Sequence, residues 1–69
     1  MTKVSRKLKR LRDLWGHLRP LSQVKAAVRI GVSRRSWIGW ERGQRVPPRH
    51  IALLIDLLLE KEEKLSGHP

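Results

Sequence analysis

Arg34 and Arg35 stand side by side, with Ser33 before them and Ser36 after. A guanidinium is a planar fork of donors, and it pairs with two acceptors at once, as on the O6/N7 edge of guanine. Ile38, one helical turn further on, could meet the methyl group of thymine. Ser36 suits a phosphate oxygen. These are groups that bind; the chain offers no comparable cluster that would react. His17, His50 and His68 are scattered without metal-ligand spacing, cysteine is absent, and no paired carboxylates are expected in one pocket. His50 reads as a packing or backbone-contacting residue. An enzyme is therefore not expected, and neither is a cofactor, a metal or a small-molecule ligand.

The charge balance points to a polyanionic partner. The 69 residues carry 16 Lys and Arg against 6 Asp and Glu, a net of +10. Residues 1–50 hold fourteen of the cations against Asp13 and Glu41, whereas residues 51–69 hold Lys61 and Lys64 against Asp56, Glu60, Glu62 and Glu63. That segregation favours an anion-facing end and a second end for other work. The basic start, Lys3 to Arg12, leads into no continuous apolar run, so it does not read as a signal peptide. The longest apolar stretch, Ile51 to Ile55, falls far short of the ~20 residues of a membrane span. The expectation is a soluble cytoplasmic protein with no membrane partner. Its length fits one domain, residues 1–65, with 66–69 as a frayed tail. Without cysteine, neither a disulfide nor a thiolate zinc site can brace so small a core, which leaves a partner subunit as the natural support.

Four helices must position the arginines. The first is expected from Thr2 or Ser5 to His17, with Val4, Leu8, Leu11 and Trp15 on one stripe, widened by Leu14 and Leu18. Lys3, Arg6, Lys7, Lys9, Arg10 and Arg12 cover its remainder. Cations in a first turn oppose the helix dipole, a penalty that phosphates would offset, so this arm reads as a backbone contact led by Lys3 and Arg6. Gly16 and Pro20 bracket its exit. The second helix starts after Ser22 as N-cap, with Gln23 first inside. Val24, Ala27 and Val28 form its expected apolar face, Ile30 closes it, and Gly31 supplies the left-handed stop. Ser33 caps the third helix, Arg34 to Arg42, which Gly43 ends.

Pro47 and Pro48 open the fourth helix, with Val46 stapled onto Ile51. Ile51, Leu54, Ile55 and Leu58 make its core stripe, with Leu59 nearby, while Leu53 and Leu57 lie on another face. A domain of this size cannot cover both faces, so Leu53 and Leu57 are expected to form a homodimer seam. The alternative is that the charged tail, Lys61 to Pro69, folds back over them. The expected core is Leu8, Leu11, Trp15, Ala27, Trp37, Trp40, Ile51, Leu54, Ile55 and Leu58.

A short helix, a tight turn and a second short helix give the layout of a helix-turn-helix. The window LSQVKAAVRIGVSRRSWIGWERG, Leu21 to Gly43, resembles the helix-turn-helix of the Cro and lambda-repressor (XRE) type. The resemblance rests on Leu21-Ser22-Gln23, Ala27, Gly31-Val32-Ser33, the apolar pair Trp37 and Trp40, Glu41-x-Gly43, and Pro47, with no gap. More narrowly, the paired tryptophans are similar to those of small prophage and anti-CRISPR-associated repressors. Two features depart from the pattern: Ala26 stands where a larger aliphatic is usual, and residues 17–20 are about one longer than usual.

The resemblance implies an all-α, compact four- to five-helix domain of lambda-repressor-like fold. It places Arg34, Arg35, Ile38 and Gly39 against base edges. Ser22 and Gln23 would grip the DNA backbone, Gln23 also bracing Arg34. Further backbone contacts would come from Ser33, Ser36, Arg42, Arg45 and Arg49. Trp37 and Trp40, at i and i+3, would form the buried side of the recognition helix. Ala27 would be small because the two helices cross closely there. Gly39 lowers helix stability by ~1 kcal/mol relative to alanine, and its presence is expected to reflect close approach to DNA. Glu41 would bridge to a first-helix arginine or cap nearby amides.

The implied function is a homodimeric transcriptional repressor on a palindromic operator of double-stranded DNA. It would be encoded by a phage or mobile element, act in the bacterial cytoplasm and control its own operon. Three other readings stand beside it. An antitoxin would bind its toxin through the acidic, leucine-rich end. A cationic membrane-active peptide would use the tryptophans and the basic start, although the regular punctuation by Gly31, Ser33 and Gly43 argues against a lytic helix. An RNA-binding role would need an exposed aromatic platform.

Overall fold

The computed structural model describes residues 3–16 and 18–65. Among them the fold is all-helical: α1 is Lys3–Trp15, α2 Gln23–Ile30, α3 Arg34–Glu41 and α4 Arg49–Leu65. The expected helix start at Thr2 and the 66–69 tail lie outside the described residues, whereas α1 stops at Trp15, short of the expected His17, with Gly16 already outside the helix.

Local chemistry fixes the boundaries. Ser22 takes an extended conformation and its Oγ accepts from Lys25 N, and Ser33 does the same for Ser36 N, so each hydroxyl fills one of the free amides that open a helix. Gly31 closes α2 at φ 82°, and its N–H reaches back to the carbonyls of Ala27 and Val28. An L-residue is strained there. Gly31→Ala is therefore expected to lower stability by roughly 1–2 kcal/mol, read as a fall in the thermal midpoint followed by circular dichroism. The two prolines do not enter α4, which begins two residues later than expected, at Arg49. Pro48 instead supplies the carbonyl that accepts from Ile51 N and Ala52 N, at 3.0 and 2.9 Å.

α1 lies against both α3 and α4, and α2 lies against α3. The fully enclosed centre is Leu8, Leu11, Ala26, Ala27, Trp37, Trp40 and Ile55, with Val4, Trp15, Leu21, Ile30, Val32, Ile51, Leu58 and Leu59 packed around it. Several expectations are corrected here. The inward side of α2 is Ala26, Ala27 and Ile30, while Val24 and Val28 face outward at 47% and 73% exposure. The bulk at this crossing comes from Trp37 and Trp40, so α2 presents its two small residues and the valines rotate away.

On α4, Leu54 lies on the flank, half-buried and outside the core cluster, and Leu59 takes its place. At 3.6 residues per turn, Leu54 is about 100° from Ile55 and Leu59 only about 40°. Leu18 is almost fully exposed and does not extend the α1 stripe, and Val46, also exposed, forms no staple with Ile51. α4 stays helical to Leu65, so residues 61–65 do not turn back over Leu53 and Leu57.

Salt bridges redistribute the charge expected of the ends. Lys7 Nζ meets Asp56 at 2.6 Å and Arg10 Nε meets Glu63 at 3.5 Å, tying α1 to α4. Arg29 lies 4.5 Å from the Trp15 ring centroid, and its Nη2 is 4.0 Å from Glu62. The basic arm is thus not a free strip of cations. Lys7, Arg10 and Arg12 are engaged within the fold, and the acids of α4 are in part their counterparts.

Candidate functional site

α3 has two sides of opposite character. Its inner side carries Trp37, Trp40 and Glu41, all buried. The Trp37 ring lies 6.4 Å from that of Trp15, and its Nε1 donates to Glu41 Oε2 at 2.7 Å. Arg12 grips the same carboxylate with two donors, Nε at 3.0 Å and Nη2, and its Nη1 donates to the Leu21 carbonyl at 3.2 Å. Of the two roles open to Glu41, the bridge to an α1 arginine is the one present. Ser5, fully buried on α1, donates to the Trp40 carbonyl at 3.0 Å. These bonds fix the roll of α3 about its own axis, and therefore what its outer side presents.

The outer side is a shallow groove lined by Ser33, Arg34, Arg35, Ile38, Gly39, Gln44 and Arg45. None of the seven is acidic, and three are arginines, so the groove is an electropositive concavity with one aliphatic contact in its wall. It brings together the four residues singled out as base-reading, Arg34, Arg35, Ile38 and Gly39. Gly39 itself is buried, covered by the side chain of Arg45. Arg45 and Ser33, read as backbone contacts, share this groove. Gln44 joins it unforeseen. Its only sequence signal is its place just after Gly43, which turns the chain back at φ 77° and lets Gln44 N donate to the Gly39 carbonyl at 2.9 Å.

The remaining candidate contacts lie outside that lining. Ser36 is half-buried, and its Oγ accepts a hydrogen bond from Ser33 Oγ at 2.9 Å. Arg42 and Arg49 are exposed beyond the end of α3. Lys3 and Arg6 are exposed on the side of α1 turned away from its core stripe. Ser22 and Lys25 border a second groove, with Trp15, Gly16, Leu18, Arg19, Pro20 and Leu21, while Gln23 is half-buried and lies outside both linings. The two grooves are of similar size, about 610 and 650 Å³, so chemistry rather than volume sets them apart.

Leu53 and Leu57 are 58% and 63% exposed. Each lies about 160° round α4 from the buried Ile55. No helix is long and apolar enough to cross a membrane, and no group of three or more His, Cys, Asp or Glu is placed to hold a metal, both among the described residues. Comparison with protein-family models, curated proteins and solved structures finds no match to the chain.

Proposed function

We propose that this protein is a sequence-specific DNA-binding repressor that reads the major groove with α3. The observation that carries the reading is the acid-free groove of Ser33, Arg34, Arg35, Ile38, Gln44 and Arg45 on the one side of α3 that the core does not use. Arg34 and Arg35 open the helix, where side chains reach farthest into a groove, and guanine offers each fork its acceptor pair. Ser22, with the free amides of α2, and the exposed Arg42 and Arg49 take phosphates on either side. The motif of Leu21 to Gly43 supports the same placement. With Arg12, Glu41 and Trp37 locking α3 to α1, the reading side is rigid before DNA arrives.

Leu53 and Leu57 support a homodimer through α4, so that two copies address an inverted repeat with half-sites about 34 Å apart. Bound there, the dimer blocks polymerase, and its own promoter is the natural operator. The antitoxin reading loses ground, because Asp56, Glu62 and Glu63 have partners on α1 and α2 instead of standing free for a toxin.

The test is selection from a pool of random-sequence duplexes, followed by sequencing of the bound fraction. The expected result is an inverted repeat; enrichment of no sequence overturns the reading. Leu53→Asp with Leu57→Asp is expected to halve the mass seen by sedimentation, to the 8.1 kDa of one chain. It should also cut operator affinity at least tenfold while leaving the helical circular dichroism intact. A wild-type mass of one chain would remove the dimer.

A further inference from the structure

Gly31 and Gly43 occupy positive φ, but Gly39 does not. It lies within regular α3, where alanine is the better helix former, so its backbone gives no reason for a glycine. The space beside it does. A Cβ built on Gly39 would lie 3.3 Å from Cδ of Arg45, 3.5 Å from its Cγ and 3.8 Å from its Cβ. The alkyl stem of Arg45 lies against Gly39, so a Cβ there would make one tight contact, with Cδ, and two ordinary ones. Its backbone is tied to the same place, since Arg45 N donates to the Gly39 carbonyl at 3.3 Å, beside Gln44 N at 2.9 Å.

We propose that Arg45 is a base-reading residue, seated by Gly39, and not one more phosphate contact of the loop. The inference rests on the DNA-binding reading. A phosphate contact tolerates a loose side chain at the rim of the interface, because it conveys position and charge and no sequence. Bidentate recognition of a base edge needs the fork held in one orientation, and a stem already packed loses less freedom on binding. The Arg45 stem is packed on Gly39 while its guanidinium stays exposed and has no ion pair among the described residues, and it shares its groove with Arg34, Arg35 and Ile38. Gly39 is five residues along α3 from Arg34, which is roughly 7.5 Å of helix rise. That exceeds the ~3.4 Å spacing of stacked bases. Arg34 and Arg45 therefore address different base pairs of one half-site, and Arg45 prefers guanine.

The experiment is the random-duplex selection, run on wild type, Arg45→Ala, Arg45→Lys and Gly39→Ala, each first checked for wild-type helical content. Both Arg45 variants are expected to lose preference for one guanine per half-site by about tenfold or more, with the other positions unchanged. Arg45→Lys should keep the wild-type salt dependence, because the charge remains. Gly39→Ala should blur the same guanine, since its Cβ closes on Cδ of Arg45 and shifts the stem by a few tenths of an ångström. If Arg45→Ala weakens all sequences equally and leaves the motif intact, Arg45 is a phosphate contact and the inference falls. If Gly39→Ala keeps full preference for that guanine, the seating role falls. If wild type itself enriches nothing, the DNA-binding reading has failed and takes this inference with it.

Discussion

Glu41→Ala is expected to leave most of the chain unfolded at room temperature. Glu41 is 4% exposed, and its carboxylate takes two bonds from Arg12 and one from the Trp37 indole. Removing it strands a guanidinium whose side chain is only 19% exposed, together with a buried N–H. Breaking a buried pair from one side costs about 3–5 kcal/mol. A core of this size rarely supplies more than about 3–5 kcal/mol in all, so the loss is comparable with the whole. Arg12→Ala should do nearly as much, leaving the carboxylate buried against Trp37 alone.

Replacing both partners with apolar residues, Arg12→Met with Glu41→Leu, is a different case. An apolar pair of similar volume is often neutral or stabilising, and the residual penalty is the Trp37 N–H, about 1–3 kcal/mol, with a smaller one for the half-buried Leu21 carbonyl that Arg12 served. The double variant should therefore be more stable than either Glu41→Ala or Arg12→Ala. Urea unfolding of these variants checks the order. A Glu41→Ala loss below about 1 kcal/mol, which is what an exposed pair gives, would show that the network does not hold the fold.

The second large effect belongs to the outer side of α3. Arg34→Ala with Arg35→Ala removes two exposed side chains that take no part in the core, so the thermal midpoint should hardly move. Each bidentate contact to guanine discriminates by about 1–3 kcal/mol. The pair is then worth about 2–6 kcal/mol, on the order of 30-fold to 10⁴-fold in affinity for the selected duplex. Binding to random duplex should fall far less, because that term is charge alone and Lys, Arg and helix termini elsewhere still supply it. Anisotropy titrations of both duplexes across a salt series measure the two terms separately. An undiminished preference for the selected duplex would mean that the start of α3 does not read bases. The Glu41 and Arg34/Arg35 experiments are independent by construction, since one empties the inner side of α3 and the other strips its outer side.

The helices were legible because their boundaries are written locally. Ser22, Gly31, Ser33 and Gly43 act on their own neighbours within four residues, so one sequence suffices to place the ends of α2 and α3. The direction in which α2 faces was not legible. Val24-Ala27-Val28 and Ala26-Ala27-Ile30 both satisfy a helical period, and the choice is made by the two tryptophans across the interface. The exchange of Leu54 for Leu59 has the same origin, since α4 turns its stripe to meet α1.

Pairings between distant residues were equally hidden. Lys7 and Asp56 are 49 positions apart and Arg10 and Glu63 are 53, so nothing near either pair announces it. For the candidate site, Arg34, Arg35 and Ile38 were grouped by spacing on one short helix, and they do share a groove. Gln44 was missed because only the backward turn at Gly43 brings it there. Gly39 stands out by its poor helix propensity, but what lies against it in the structure is a side chain of the same molecule, Arg45.

The chain has three tryptophans and neither tyrosine nor phenylalanine. Near-ultraviolet absorption and intrinsic emission therefore come from indoles alone, and their surroundings differ sharply. Trp15 has a guanidinium over its face and Trp37 has its N–H bonded to a carboxylate, while Trp40 is buried with Trp37 on the inner side of α3. Two of the three chromophores thus sit directly behind the groove without touching whatever enters it. Emission from them reports strain passed through α3, not contact with a ligand, and the unlabelled protein carries its own optical gauge of how far that helix moves.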